Sequence, residues 1–417
     1  FTTRYINTRE PSNARSVFAT DFDSWGMDPK RSELIQDFIG PGILTSDGEA
    51  WRHARATLRP AFLRGNVADR DMFEVHVARF LGAIPTDGQP LNLFPLVDRL
   101  VLDAISDFLF DQSFKSLVPA EAKTGQDFLD AYNYGLSVVF KRFILGPILG
   151  RLVQSLDRRY RESMDFVNGW TGILLDQAID AANTTDGQRT KYAFAVDLAG
   201  QTADKKWLRD QLMHTFLGGR ETPGVALSGA LFHLARCPRA WARLREELRG
   251  VAPGQLNFEG IKGCKYLQWT VKEALRLDPP LGGTTRHCRR ATSLPVGGGP
   301  DGKDPIAIMP GDVAHISFAA MHRDPEIWGP DANEFRPERW ADNKLRPTWE
   351  YLPFSGGPRI CPAQSLSLYW VTYAIARMIM RFERLENAEM DEDKVRRMGF
   401  QVGANHGLNV VLVPAVS

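Results

Sequence analysis

Phe354-Ser355-Gly356-Gly357-Pro358-Arg359-Ile360-Cys361-Pro362-Ala363 is the stretch on which the reading of this chain turns. It stands just before an apolar helical run and presents one cysteine in a setting expected to keep the sulfur ionised. Glycines let the backbone turn tightly and approach a flat group. Arg359 supplies a fixed positive charge, and the helix that follows points the positive end of its dipole back at the sulfur. Those are the conditions of a thiolate that ligates a metal. A lone cysteine at a helix start is more often a small buried hydrophobe, so the window has to be weighed with the rest of the chain.

Bulk properties narrow the field. At 417 residues the chain suits two or three ordinary domains, or one large helical domain wrapped around a cofactor. Lys plus Arg number 51 and Asp plus Glu 50, so no net field draws nucleic acid or an acidic partner. Cys237, Cys264, Cys288 and Cys361 are scattered and include no CxxC, which argues against a zinc site or a secreted disulfide framework. No apolar run of about 18 to 20 residues exists. The most apolar region, Val138 to Val153, is broken by Lys141, Arg142, Gly146, Pro147, Gly150 and Arg151. The chain begins at Phe1 and reads at once as the interior of a fold, so an N-terminal segment is expected to precede it.

Apolar periodicity predicts helices over Glu49 to Leu63, Asp71 to Ile84, Phe94 to Phe110, Ala120 to Phe140, Leu152 to Ala182, Trp207 to Ala235, Arg239 to Gly250 and Leu267 to Leu277. Strand-like segments are short and late: Ile306 to Met309, Asp312 to Phe318 and Leu408 to Val413. The fold class is therefore mainly α. The run Gly297 to Gly302 lacks a GK[ST] ending and a following helix, so it reads as a turn between strands and not as a phosphate loop.

Three further constellations add to the cysteine loop. Glu273 and Arg276, at i and i+3, share a helix face, and Arg339 follows about sixty residues later in Phe335-Arg336-Pro337-Glu338-Arg339-Trp340. Alone, such a pair is usually a solvated surface bridge. Gly218-Gly219-Arg220-Glu221-Thr222, with Pro223 and Gly224, lies in the middle of a long apolar helix. That is locally unfavourable, and it is expected where a helix opens or kinks. A threonine there otherwise bonds its own backbone. Trp51 and Arg55, at i and i+4, share a face in Asp47-Gly48-Glu49-Ala50-Trp51-Arg52-His53-Ala54-Arg55.

In this order and spacing, from Gly40 to Gln364, the segments resemble the cytochrome P450 family. Its cysteine loop has Phe, two residues, Gly, one residue, Arg, one residue, Cys, one residue, Gly. Phe354, Gly357, Arg359 and Cys361 match in register, with Ala363 in place of the last glycine. The segment Gly40 to Phe62 and the Gly297 to Gly302 turn are most similar to the fungal alkane and fatty-acid hydroxylases. The resemblance implies the P450 fold with small β-sheets, one domain over residues 1–417, and haem b between the long central helix and the cysteine loop. Cys361 would be the axial thiolate. Trp51, Arg55, Arg286 and Arg359 would seat the cofactor, with Phe354, Gly357, Gly218 and Gly219 close to it. Glu221 and Thr222 would manage protons, and Glu273, Arg276 and Arg339 would form a buried structural triad.

It also implies a monooxygenase that inserts one atom of O2 into a C–H bond, with electrons from NADPH through a separate reductase. A fatty acid or alkane is the favoured substrate, contacted by Leu212, Phe216, Leu217, Leu281, Thr284, Phe400 and Val402. The alternatives are a tailoring hydroxylase of a polyketide or terpenoid pathway and, from another class, a haem-binding protein without catalysis. The expected location is the cytosolic face of the endoplasmic reticulum membrane, held by an anchor that, like the first sheet strands, is expected to be absent from this chain. Pro362 after the cysteine and Pro223 after Thr222 depart from the commoner family residues.

Overall fold

The computed structural model describes residues 3–62, 69–183, 194–342, 345–389 and 408–415. Short polar residues and glycines set its helix ends. α1 (Pro29–Ile39) starts where the Asp28 carboxylate accepts the Lys30 N–H and stops at Gly40, whose φ of +79° is left-handed. α2 (Gly48–Leu58), α3 (Arg70–Ala83) and α4 (Phe94–Phe110) follow. α5 (Ala122–Leu145), α6 (Pro147–Leu156) and α7 (Arg158–Asn183) are separated by Gly146 and Asp157. Periodicity merged the last two, but the Asp157 carboxylate accepts the Tyr160 N–H at 2.9 Å and so begins a new helix. α8 (Lys205–Arg236), capped by Asp204 on the Trp207 N–H, is the longest. α9 (Pro238–Glu247), α10 (Lys265–Leu277) and α11 (Gln364–Arg381) complete the main set.

The strands are β1 (Tyr5–Thr8), β2 (Trp25–Gly26), β3 (Leu91–Asn92), β4 (Gly283–Cys288), β5 (Thr292–Gly298), β6 (Asp304–Ile308), β7 (Val313–Ser317), β8 (Phe382–Asn387) and β9 (Asn409–Pro414). They form three small sheets, ordered β1-β7-β4-β2, β3-β9-β8 and β5-β6. Where the sequence reading expected no leading sheet strands, Tyr5–Thr8 runs parallel to Val313–Ile316, and Trp25–Gly26 pairs with His287–Cys288. Strands of two and four residues are too short for a period-2 pattern to mark them. The glycine-rich run joins β5 to β6 as a turn, with Gly297 N–H bonded to Gly302 C=O at 2.8 Å.

Two apolar clusters divide the molecule. The larger gathers the helices around α8 and α11, with Phe73 stacked on Trp370 at 5.0 Å and Phe108 edge-on to the same indole at 6.3 Å. The smaller lies under the β1-β7-β4-β2 sheet and includes Val17, Phe18, Trp25, Ile316 and Phe318. A cleft opens between them. No helix among the described residues is long and apolar enough to cross a membrane.

Candidate active site between the long helix and the cysteine loop

The cleft holds about 250 Å3 of enclosed space and opens to solvent. α8 forms one wall with His214, Thr215, Gly218, Gly219, Thr222 and Pro223. The cysteine loop forms the opposite wall with Phe354, Ser355, Arg359, Cys361 and Ala363, and Arg31, Trp51, Arg55 and Arg286 close one side.

The cysteine loop is built by its own backbone. Cys361 N–H donates to Phe354 C=O at 3.0 Å, and Ser355 and Gly357 adopt left-handed backbones at φ +61° and +67°. A Cβ at Gly357 would lie 1.9 Å from the Phe18 carbonyl oxygen, and one at Gly356 2.7 Å from the Trp349 ring. These glycines therefore serve close packing of loop against loop, and Gly357 is not among the cleft-lining residues. Burial pushes the Cys361 thiol up, against the opposing pull of the Ala363 N–H on its sulfur and of the nearby Arg55 charge. The charge next to the sulfur is that of Arg55, which also donates to Ile360 C=O at 2.9 Å. Arg359 instead pairs with Asp47 at 2.6 Å, donates to Ser46 C=O at 3.0 Å, and lies 4.2 Å over the Trp51 ring.

The arginines around the cleft are short of counter-charge. Asp47 is shared by Arg359 and by Arg289 at 2.5 Å. Among the described residues no carboxylate stands within ion-pair distance of Arg31, Arg55 or Arg286. Arg286 is pushed down to about 9 by burial, then by Arg31 and Arg359. Arg359 is pushed down to about 10 by burial, with Asp47 opposing and Arg289, Arg55 and Arg31 adding to the fall. Arg31, which the motifs did not single out, donates to Thr284 Oγ1 at 3.0 Å and is also lowered by burial. A site of this kind is completed by a ligand carrying more than one negative charge, as the two propionates of a haem would.

Two further observations fit that group. A Cβ at Gly218 would meet nothing within 4 Å, so the α8 wall is open there. The buried Ser355 Oγ, on the cleft wall, has no hydrogen-bond partner among the described residues. Gly219 differs: its Cβ would lie 2.4 Å from Ile105 Cδ1, so this glycine admits α4 and not a cofactor alone.

α8 is helical from end to end, without the expected opening. Pro223 cannot donate to the Gly219 carbonyl, and the Thr222 hydroxyl donates to the Gly218 carbonyl at 2.7 Å. Thr222 lines the cleft; Glu221 does not, because it is turned to the buried Arg220, which also grips Asp98 with bonds of 2.9 Å to each carboxylate oxygen. Burial raises the Glu221 carboxyl despite Arg220, with Asp98 adding to the rise.

Of the expected substrate contacts, Leu281 and Thr284 line the cleft. Leu212 and Phe216 are buried on another face of α8, Phe216 edge-on to Tyr132 at 5.1 Å, and Leu217 packs against the helical core. Phe400 and Val402 lie outside the described residues. The cleft-facing positions of α8 are 214, 215, 218, 219, 222, 223 and 226, which do not include Leu212, Phe216 or Leu217.

Behind the loop, Glu273 accepts from Arg276 Nε and Nη2 at 2.9 and 2.8 Å and from Arg339 Nε at 2.9 Å, all buried. Trp340 Nε1 and the Arg336 N–H also donate to it, at 2.9 and 3.1 Å. Burial pushes the Glu273 carboxyl up, but Arg276 and then Arg339 outweigh it and hold it below the usual carboxylate range.

The family model described as Cytochrome P450 matches residues 2–408. Cytochrome P450 52A9 of Candida maltosa is 36% identical over 404 residues, covering 93% of this chain and 77% of that protein. The cytochrome P450 monooxygenase himC of Aspergillus japonicus is 35% identical over 421 residues, covering 99% and 74%. The cytochrome P450 monooxygenase fsdH of Fusarium heterosporum is 34% identical over 420 residues, covering 97% and 73%. A thiol beneath an open helix wall, arginines awaiting anions, and a match along nearly the whole chain agree: this chain belongs to the cytochrome P450 family, the haem-thiolate monooxygenases that take electrons from a separate reductase.

Proposed function

We propose that this chain hydroxylates a long lipophilic substrate, a fatty acid or an alkane, at a membrane surface. The observation that carries the reading is the cleft wall, where Met27, Ile43, Leu44, Leu281 and Phe318 form an apolar lining next to the arginine end. Such a wall suits an aliphatic chain that gains affinity by leaving water.

The haem supplies dioxygen activation for insertion of one oxygen atom into a C–H bond. Cys361 would hold its iron, with the Ala363 N–H and Arg55 tempering the charge on sulfur. Pro362 has no N–H to turn toward that sulfur, which leaves the thiolate a stronger electron donor. Arg55, Arg286, Arg359 and Arg31 would take the propionates, with Trp51 stacked beneath Arg359. Thr222 would order water at the cleft and pass protons toward it. Glu221 would be the acid behind it. To act, Glu221 must leave Arg220, and Asp98 already holds that guanidinium, so the release strands no buried charge.

A second observation supports membrane association. Phe143, Ile144, Ile148, Leu152 and Leu156 are exposed along the end of α5 and α6, Ile144 and Ile148 at 82% and 87%. From Phe140 to Leu156 there is no Asp or Glu; exposed Lys141 and Arg151 lie within this stretch and exposed Arg158, Arg159 and Arg161 follow, Arg151 beside Glu33 and Arg158 beside Glu162, while Arg142 is buried against Asp37. An apolar face rimmed by basic residues matches a bilayer with anionic headgroups.

The first experiment is the reduced, carbon-monoxide-bound difference spectrum, followed by turnover of long-chain fatty acids and alkanes with NADPH and a reductase. A strongly red-shifted Soret band and hydroxylated product coupled to NADPH use are expected. No such band rejects thiolate ligation; a band without coupled product rejects the substrate reading. Flotation with phosphatidylserine vesicles checks the surface, since I144D/I148D should release the protein by about tenfold or more. Equal binding of variant and wild type would reject that face.

A further inference from the structure

His214 is buried on the cleft side of α8, one turn before Gly218, and neither the cysteine loop nor the Glu221 and Thr222 pair uses it. Its Nε2 bonds the Gly40 carbonyl at 2.9 Å, and its Nδ1 stands 3.3 Å from the Leu44 N–H. A carbonyl can only accept and an N–H can only donate. The ring is therefore neutral, with its proton on Nε2.

The segment it grips is shaped to receive it. A Cβ at Gly42 would lie 2.4 Å from His214 Cδ2, and a Cβ at Gly40 2.2 Å from the carboxyl carbon of Asp210, one helical turn earlier. Gln211 adds a weaker bond to the Pro41 carbonyl at 3.3 Å. Within the segment, Gly42 N–H donates to Thr45 Oγ1 at 3.1 Å, and the Thr45 and Ser46 N–H groups return to the Gly42 carbonyl at 3.0 and 2.8 Å. Residues 40–46 thus form an internally bonded turn that moves as one piece. What fixes that piece to α8 is a clasp of polar side chains, and the two residues it carries over the cleft are Ile43 and Leu44.

We propose that His214 is a positioning residue for substrate selection: by bonding both ends of the Gly40–Leu44 turn, it sets the height of Ile43 and Leu44 above the cleft and so the length and placement of chain the cleft accepts. The proposal rests on the reading of this cleft as the haem and substrate site. Without the imidazole the turn keeps its internal bonds but loses its register on α8, and the apolar roof can lift. Two buried hydrogen bonds of modest net worth account for about a tenfold change in the open population.

The test compares haem-loaded wild type, H214F, which keeps a ring and removes both bonds, and H214Q, which can keep the donor to Gly40. The first readout is amide exchange, without substrate, in a peptide spanning residues 40–46. The second is binding of imidazole and 1-alkylimidazoles of increasing chain length to the haem iron, where the alkyl chain probes the roof. For H214F the proposal expects about tenfold faster exchange of the Leu44 N–H and about fivefold or greater loss of affinity for the longest alkylimidazole. Imidazole itself should change less than twofold, with H214Q between H214F and wild type. Unchanged exchange overturns the clasp. Equal weakening for short and long probes, or failure of both variants to give the carbon-monoxide-bound thiolate spectrum, overturns the positioning role, because His214 would then support the haem site as a whole. Loss of that spectrum in the wild type would instead overturn the haem-thiolate reading. A wild type indifferent to alkyl length would overturn the lipophilic-chain reading together with the selection role, while the exchange readout would still decide whether the clasp exists.

Discussion

Replacing Arg276 with lysine keeps the charge, yet it should be among the most damaging conservative changes in the molecule. The Arg276 guanidinium makes five hydrogen bonds: Nε and Nη2 to the two Glu273 oxygens, Nη1 to the carbonyls of His322 and Ala332 at 2.7 and 2.6 Å, and Nη2 to the carbonyl of Glu334 at 3.2 Å. The side chain is fully buried. An ammonium offers three donors from one point and cannot span a planar fork of five. At least two buried acceptors lose their donor, at about 1–3 kcal/mol each, so Arg276→Lys should cost about 2–6 kcal/mol of a total stability of about 5–15 kcal/mol. Urea unfolding of the haem-loaded protein, followed by helical circular dichroism and by haem absorbance together, measures it. Arg336→Lys supplies the contrast, because Arg336 is half exposed and meets Asp331 at 2.7 Å near the surface, where such a pair is worth about 1 kcal/mol or less. A loss under about 1 kcal/mol for Arg276→Lys, or an equal loss for Arg336→Lys, would refute the reasoning.

The two adjacent glycines of α8 should respond in opposite ways: Gly219→Ala presses a methyl on Ile105 and should lower stability by about 1–2 kcal/mol, while Gly218→Ala faces open space and should raise it by up to about 1 kcal/mol as it weakens cleft ligands. Thermal unfolding and ligand titration of the pair distinguish them, and equal effects would mean the helix phase is misassigned. Arg286→Met should speed transfer of haem to a scavenger protein by about tenfold or more, and an unchanged rate would remove Arg286 from the propionate site. Burial lowers His214 from 6.5 to about 4 and His322, whose Nε2 accepts the Leu352 N–H at 2.8 Å, from 6.5 to about 3. The unfolded chain then binds more protons than the native one below about pH 6.5, so stability is full above that value and falls as pH drops, by at most about 1.4 kcal/mol per unit for each ring. Urea midpoints between pH ~7 and ~5 should show the fall, with His322→Gln removing about half of it; a flat profile would contradict neutral burial.

How far the sequence could be read depended on whether neighbours in space are also neighbours in the chain. The cysteine loop is ten contiguous residues, and the Glu273 and Arg276 pair is one helical turn, so chemistry and spacing appear together there. α8 was harder. It is buried on nearly all sides, and periodicity in such a helix cannot tell the face toward the cleft from the face toward Phe128 and Tyr132. Leu212 and Phe216 were therefore placed in the cleft, while His214 and Thr215 were passed over. His214, Arg31 and Asp47 owe their places to contacts with partners 170 or more residues away. Gly357 was legible as a turn, but its reason, the Phe18 carbonyl, was not.

The arginines show most directly what structure adds, because one residue type serves two opposed purposes within the same motif set. Arg276 and Arg339 bury their charge against Glu273, and Arg339 has Asp331 as well at 3.2 Å; these bonds raise the Arg339 guanidinium in spite of burial. The charge of that network is balanced within the protein, by Glu273 and Asp331. Arg286 and Arg359 are also buried, and they are pushed down, first by that burial and then by the other guanidiniums each faces, with one carboxylate shared among them. Burying like charges without compensation opposes folding, so such a cluster is explained only if something outside the chain completes it. Counter-charge balance thus separates arginines that hold the scaffold from arginines that hold a ligand. Motif spacing could name both groups from the family resemblance, but it gave no physical reason for the difference. On that criterion Arg31 joins the second group, and Arg31→Met should loosen haem as Arg286→Met does, while leaving unfolding of the Glu273 network unchanged.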